Sequence, residues 1–258
     1  MTQANPYVVF EQPLTERVRT FLRLDFLFAQ HRHHIADASE FGLRGSVHSL
    51  LDILTLLSRT DLKNDILKEL SEQHIRFSRL ARAPGVDQER LNSILVDLNQ
   101  VLSELQAQAS HPGHHLLREN DFLMSVLNRY AMPGGTCGFD LPGYHYWLSQ
   151  LPELSHQDLS GWRTGLCPFE RAISLYLRLL RESVPPAEAC AQGGIYIHSP
   201  EEPCALLRVH VPQEACSYPE ISAGRHRFTL RFMNACDVNT RSQQRMTDLH
   251  FLMQCCHL

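Results

Sequence analysis

Apolar side chains recur at steps of three and four residues through the first two thirds of the chain. The runs that keep this spacing begin at Leu14, Val47, Leu62, Leu91, Leu116 and Leu154. Such spacing indicates amphipathic helices that bury one side. Pro84 and Gly85 separate two of the longest runs, those that begin at Leu62 and Leu91, and Asp87 can cap the second helix. The spacing therefore predicts an antiparallel helical hairpin at this point.

The period of the apolar positions changes to two beyond Gly193. Alternating runs occupy residues 194–198, 205–211, 225–233 and 249–253, with turn-forming residues between them. A short β-branched segment at residues 7–11 resembles them, and residues 137–141 are a further strand candidate. This pattern predicts an antiparallel sheet of five or six strands.

Helices followed by strands indicate the α+β class. We predict a helical bundle domain at residues 14–132 and 153–185. The antiparallel β domain would combine residues 7–13, 136–148 and 193–256. A chain of 258 residues, 43% of them hydrophobic, is long enough to bury a core in each domain.

The strand predicted at residues 225–233 has two unlike faces. One face carries His226, Phe228, Leu230 and Phe232, and the other carries Arg225, Arg227, Thr229 and Arg231. At about 3.3 Å per residue, the arginines form a row about 20 Å long. The row is suited to an acidic partner, although a solvated outer sheet face whose arginines only maintain solubility has the same pattern.

The net charge of −4 at pH 7 means that any basic site must be a local patch. Nucleic-acid binding through the basic strand is therefore disfavoured, although it remains an alternative. No window approaches 18 uncharged apolar residues, and the start lacks a basic segment followed by an apolar one. We therefore expect a cytoplasmic protein without a membrane span.

Cysteine and histidine give little support for metal or catalytic chemistry. The eight cysteines contain no Cys-x-x-Cys pair, and the histidines at residues 31–34 and 111–115 lack the spacing of a catalytic zinc site. We expect no metal site and no cofactor. A cysteine hydrolase with Cys137 as nucleophile and His145 as base is a further alternative, but no orienting acid or oxyanion donor is evident.

Several motifs, in order along nearly the whole chain, closely resemble the ZapD family of bacterial cell-division proteins. They are VFEQPL at 9–14, PGVDQER at 84–90, PGGTCGFDLP at 133–142 and RFTLRFM at 227–233. The resemblance implies a homodimer with a helical domain and a β domain. It also implies binding to the carboxy-terminal tail of FtsZ, bundling of FtsZ filaments at the mid-cell division ring, and no enzyme activity.

In the ZapD family the tail is thought to meet a basic surface, and the motifs carry its residues onto this chain. Arg23, His145, Arg227 and Arg231 match, Arg59 matches more loosely, and Arg225 is a supporting candidate. Asp121 departs from the family, because the relatives carry a basic residue there. Tyr144 and Tyr146 are candidates for an adjacent apolar groove.

The expected dimer needs an apolar surface of its own. The candidate is the wide stripe of Leu91, Ile94, Leu95, Leu98, Val101, Leu102 and Leu105. A stripe of that width is equally consistent with a helix enclosed in its own bundle.

Overall fold

A computed structural model of the chain describes residues 6–58, 61–81, 84–109, 112–223, 227–235 and 239–258. Residues 21–176 form one compact unit, the helical unit. The described chain before and after them forms a second one, the strand unit. The helices are α1 (Glu16–Ile35), α2 (Glu40–Ser58), α3 (Leu62–Leu80), α4 (Gln88–Gln106), α5 (Pro112–Glu119), α6 (Asp121–Tyr130), α7 (Pro142–Leu148), α8 (Pro152–Thr164) and α9 (Cys167–Arg181). The strands are β1 (Tyr7–Pro13), β2 (Ala187–Ala191), β3 (Ile195–His198), β4 (Leu206–Pro212), β5 (Ser217–Ala223), β6 (Phe228–Asn234) and β7 (Leu249–Cys256). The predicted α+β class is confirmed.

The predicted helical hairpin is formed by α3 and α4. The carboxylate of Asp87 caps α4 by accepting a hydrogen bond of 3.0 Å from the backbone N–H of Arg90. Gly85 lies in the connecting turn with φ of +82°, a conformation that favours glycine. Leu70 and Leu98 are buried in the helical unit. The spacing of apolar residues thus located this hairpin correctly.

Helix α2 is central to the helical unit. Val47, Leu50, Leu51 and Leu54 are fully buried, and α2 packs against α5, α6, α7 and α8. Gly113 permits the approach of α5, because a Cβ atom at that position would lie 2.5 Å from the carbonyl oxygen of Leu54. A helix that is buried along most of its length explains why this segment is the most continuously apolar of the chain.

The strand unit contains two antiparallel sheets. One has the order β1-β4-β7-β2, and the other has the order β3-β6-β5. Apolar side chains from both sheets form one core cluster, which includes Val209, Phe228, Leu230, Phe232 and Phe251. The two sheets therefore pack face to face, and the opposite face of each sheet points away from this shared core.

A turn at Gly193 and Gly194 joins β2 in the first sheet to β3 in the second. Both glycines have positive φ, +55° and +76°, and the N–H of Ile195 donates to the carbonyl of Gln192 at 3.0 Å. Two consecutive residues with positive φ are typical of a tight hairpin turn. The chain can thus change sheets within a few residues.

The prediction of a single antiparallel sheet of five or six strands was wrong. The described residues form two sheets, and two of the strands, β2 and β5, were not predicted. β2 follows directly after two prolines and contains mostly small residues, so it lacks the β-branched side chains that indicate a strand. β5 contains Pro219, which lowers the expectation of a strand except at the edge of a sheet. The structure places β5 at such an edge.

The assignment of residues 136–148 to the β domain was also wrong. Residues 137–141 form turns, in which the N–H of Asp140 donates to the carbonyl of Cys137 at 3.2 Å. Pro142 then begins α7, a position where its missing N–H has no cost. Tyr144 and Trp147 are buried on one side of this helix, and the whole segment belongs to the helical unit.

Candidate functional site

The polar face of β6 is the centre of the predicted site. Phe228, Leu230 and Phe232 are buried in the shared core, whereas Arg231 is exposed. Arg227, immediately before the strand, is exposed as well. The predicted alternation of faces is confirmed from residue 227 to residue 232, whereas Arg225 and His226 lie outside the described residues.

An acidic residue faces one of these arginines. Glu220 of β5 lies directly opposite Arg231, and the Nε atom of Arg231 donates to Glu220 Oε2 at 3.2 Å. Both side chains are about half exposed, so solvent screens the ion pair. Among the described residues Arg227 has no ion-pair partner. Glu220 was missed because β5 was missed. Residues with polar groups at every second position, Tyr218, Glu220 and Ser222, were a signal for this strand in the sequence.

Arg23 lies on α1, is exposed and has no ion-pair partner within the described ranges. It borders a groove of about 360 Å³ whose other lining residues are Phe26, Leu27, Asp52, Thr55 and Leu56. Phe26 is 67% exposed, which is unusual for a large aromatic side chain. A cation beside an apolar groove is suited to a peptide with acidic and apolar side chains.

A second cavity of about 310 Å³ lies in the helical unit and includes Arg44, His48, Tyr130 and Tyr144 in its lining. The guanidinium of Arg44 lies 5.3 Å from the centre of the Tyr144 ring and pairs with Glu40 at 2.9 Å. Burial lowers the pKa of His48 and raises that of Asp52, although each opposes the other's shift. Because the charge of Arg44 is already neutralised by Glu40, this cavity is a poor site for an anion.

His145 lies on α7 and is exposed. Its ring packs near Gly138, where a Cβ atom would lie 3.2 Å from the His145 Cγ atom. The two tyrosines beside it differ, because Tyr146 is exposed whereas Tyr144 is buried. Burial raises the pKa of Tyr144 to about 12. Of the two aromatic candidates for an apolar groove, only Tyr146 is accessible to a partner.

The remaining candidates add little to the site. Arg59 and Arg225 lie outside the described residues. Asp121 begins α6 after the capping residue Asn120, whose side chain accepts a hydrogen bond from the N–H of Leu123. An acidic residue stabilises the first turn of a helix, which gives Asp121 a structural role. Arg118, at the end of α5, is exposed nearby in the sequence.

The structure brings two of the candidates together. Arg231 lies on the outer face of the three-stranded sheet, and Arg227, which is exposed immediately before β6, continues the same alternation of faces. Arg23 and His145 belong to the helical unit, where they lie on α1 and α7.

The hydrolase alternative gains no support from the surroundings of Cys137. Its thiol donates to the carboxylate of Asp140 at 3.4 Å, a contact within a turn. Within the described ranges, no group of three or more His, Cys, Asp and Glu side chains is placed to hold a metal ion. None of the described helices has both the length and the apolar character needed to cross a bilayer.

Comparison with known proteins identifies related sequences. A family model described as "ZapD: Cell division protein" matches residues 22–231. The protein "Cell division protein ZapD" from Methylococcus capsulatus is 36% identical over 253 residues, which cover 97% of this chain and 98% of the relative. The protein of the same name from Aromatoleum aromaticum is 35% identical over 232 residues, or 90% of each chain. Another, from Nitrosomonas europaea, is 37% identical over 227 residues, covering 88% of this chain and 86% of the relative.

Proposed function

This chain belongs to the ZapD family of cell-division proteins, and from this premise we propose that it binds the carboxy-terminal tail of FtsZ and cross-links FtsZ filaments. The observation that carries the proposal is the pair Arg227 and Arg231. Both are exposed: Arg231 lies on a strand whose other face is held in the core, and Arg227 lies immediately before that strand, so the backbone of the strand is fixed before a partner arrives. Binding therefore does not have to order the backbone of β6, which lowers the entropic cost of association.

Arginine is the appropriate residue for recognising a carboxylate. Its planar guanidinium can donate two parallel hydrogen bonds to one carboxylate group. Arg231 already donates to Glu220, with both hydrogen bonds going to the Oε2 atom, so an acidic tail would replace or extend this pair. Single exposed ion pairs contribute about 0–1 kcal/mol each, so binding needs several of them together with apolar contacts.

Cross-linking requires two tail sites on one particle, and a homodimer supplies them. Part of the predicted dimer stripe is used within the protomer, because Leu91, Leu98, Val101 and Leu105 are buried. Ile75 on α3 and Val96 on α4 are 50% and 63% exposed. They are at similar distances along the chain from the turn at Gly85, so they lie at the same level of the hairpin. We place the dimer contact on this surface.

The proposed activity requires no chemical step, so we expect neither an enzyme reaction nor a cofactor. The protein would act in the cytoplasm, at the mid-cell division ring. Nucleic-acid binding by the same strand is the weaker alternative, because the net charge of the chain is −4. That alternative requires salt-sensitive binding to nucleic acid in the absence of FtsZ.

The test is a pull-down of FtsZ with and without its last dozen or so residues. We expect binding to full-length FtsZ only, and equal binding to both forms would remove the tail from the proposal. Arg227→Glu/Arg231→Glu should abolish binding while the protein remains folded, because neither side chain is in the core. Its unfolding temperature should fall slightly, since the substitution at residue 231 places a second carboxylate opposite Glu220. Arg129→Glu/Arg241→Glu, which reverses two exposed arginines that belong to neither proposed surface, is the matched control and should bind normally. Normal binding by the first variant would contradict the assigned site.

A further inference from the structure

Strand β3 presents two exposed isoleucines beside the arginines of β6. Ile195 and Ile197 are 40% and 50% exposed. Ile195 lies directly opposite Arg231, and Ile197 lies directly opposite Thr229. Because opposite residues of paired strands share a face, the isoleucines and Arg231 belong to one continuous surface. This surface is the outer face of the three-stranded sheet.

The backbone of β3 is unpaired on its outer side. The N–H of Phe232 donates to the carbonyl of Gly194 at 2.8 Å, which fixes the hydrogen-bonded positions of the ladder. Because these positions alternate in an antiparallel pair, the N–H and C=O groups of Ile197 and the C=O of Ile195 point away from β6. In the described part of the chain, β6 is the only strand in the ladder of β3.

β3 also lacks the features that protect other sheet edges. β5 carries Pro219 and Glu220 at its edge of the same sheet, and β2 of the other sheet carries Glu188. Proline and charge prevent unwanted pairing at an edge. β3, by contrast, consists of Ile195, Tyr196, Ile197 and His198. An unprotected apolar edge of this kind is suited to receiving another strand.

We propose that β3 binds the partner by strand addition, with an extended acidic segment pairing along its free edge. The inference rests on the proposed function and specifies how the tail is held. Two side chains of the segment, two positions apart, would be apolar and pack beside Ile195 and Ile197. An acidic side chain would follow and meet Arg227.

The position of Arg227 supports an acidic occupant. The register of β3 with β6 places residue 199 opposite Arg227, one residue beyond the end of β3 at His198. An added strand that extends one residue past the end of β3 would therefore reach the level of Arg227 without a residue of β3 between them. Its exposed guanidinium has no ion-pair partner among the described residues, so it is available to a carboxylate.

A second copy of the chain fits this edge less well than a peptide. β3 has only four residues, whereas a stable protein interface usually buries about 1,600 Å² in total. Pairing of two copies along β3 would also bring together two surfaces that both carry arginines. A short acidic segment satisfies the backbone groups of β3 without either difficulty.

The experiment compares two serine variants, using a synthetic peptide of the last dozen or so residues of FtsZ. Ile195→Ser/Ile197→Ser should lower peptide affinity by about tenfold, because two cross-strand apolar pairs are lost. Val8→Ser is the matched control and should bind normally, since Val8 is an exposed β-branched residue on β1, an edge strand of the other sheet. Circular dichroism and thermal unfolding verify that both variants are folded.

Amide hydrogen exchange provides a readout that is specific to strand addition. The amide of Ile197 should exchange more slowly when the peptide is bound, because it becomes a ladder donor. Unchanged exchange and unchanged affinity of the double serine variant would overturn the inference, and the proposed function would stand if Arg227→Glu/Arg231→Glu still failed to bind. A lower molecular mass of the double serine variant would instead identify a second copy at this edge and would also overturn the inference.

Discussion

Single glycines control the passage of the chain between the two sheets. Gly193 and Gly194 both have positive φ, but their surroundings differ. A Cβ atom at Gly193 would lie 3.8 Å from the carbonyl oxygen of Met246, which is an ordinary contact. A Cβ atom at Gly194 would lie 2.1 Å from the carbonyl oxygen of Arg245. A side chain at Gly193 would therefore meet only the cost of a positive φ, whereas a side chain at Gly194 would also clash with the backbone of Arg245.

Replacing these glycines by alanine should have unequal effects on the free energy of unfolding. Gly193→Ala should cost about 1–2 kcal/mol, the usual penalty for a side chain in this backbone region. Gly194→Ala should cost about 3 kcal/mol or more, because the backbone at Arg245 must also move and weaken its hydrogen bond to Phe232. Urea unfolding measures both values. Equal decreases in the free energy of unfolding would show that the carbonyl of Arg245 moves aside at no energetic cost.

At the scale of elements, a partly buried ion-pair network ties strands β1 and β4 to the end of α9. The carboxylate of Glu11 accepts hydrogen bonds from Arg181 at 2.8 and 2.9 Å and from Arg208 at 2.8 Å. Arg208 also donates to Gln254 of β7 at 2.8 Å. Burial alone would raise the pKa of Glu11, but the two guanidinium groups outweigh it and the pKa is lowered.

This network predicts a pH-dependent contribution to stability. Glu11→Gln should lower the free energy of unfolding by about 2–3 kcal/mol at pH 7, because two charged donors lose their anionic acceptor. Because the pKa of Glu11 is lower in the folded protein, its contribution is complete above the ordinary value of 4.5 and is lost as the pH falls through the folded value. The difference between wild type and variant should therefore stay constant from pH 7 down to 4.5 and shrink as the pH falls further. A difference in urea unfolding that stays constant below pH 4.5 as well would contradict the role of the charge.

The elements also show what the sequence could predict. β6 and the α3–α4 hairpin were predictable because one face of each is buried and the alternation or spacing is unbroken. β2 and β5 were not, since small residues and Pro219 hide their pairing, which depends on distant strands. Residues 136–148 were misassigned because proline and aromatic residues are compatible with either a strand or a helix start. Of the candidate site, the arginines of β6 were predictable, but Glu220 and the exposed edge of β3 depend on pairing.

At the scale of the whole molecule, binding and cross-linking are separate properties. One short tail held in one site binds weakly, because ordering a flexible segment costs a few kcal/mol. Two sites on one dimer bind an array of tails more strongly, since the first attachment raises the effective concentration for the second. Loss of the dimer should therefore affect bundling far more than binding.

A monomeric variant tests this separation. Ile75→Glu/Val96→Glu should produce a folded monomer, because both side chains are exposed on the α3–α4 hairpin and the charges oppose association. Its affinity for the tail peptide should stay within about threefold of wild type, whereas filament bundling should disappear. Sedimentation measures the mass, fluorescence anisotropy the affinity, and light scattering the bundling. A monomer that still bundled filaments at an equal concentration of sites would contradict the bridging role of the dimer.

The pairing of β1 with β4 determines the order in which the protein can be completed during synthesis. Tyr7 pairs with Pro212, so β1 leaves the ribosome long before its partner exists. At about 5–20 residues per second, β1 waits roughly 10–40 s. The helical unit, residues 21–176, is made entirely within this interval and can fold first. A nascent chain therefore cannot present a finished strand unit before β7 has been made, and the arginines of β6 reach their final positions later than the helical unit can fold.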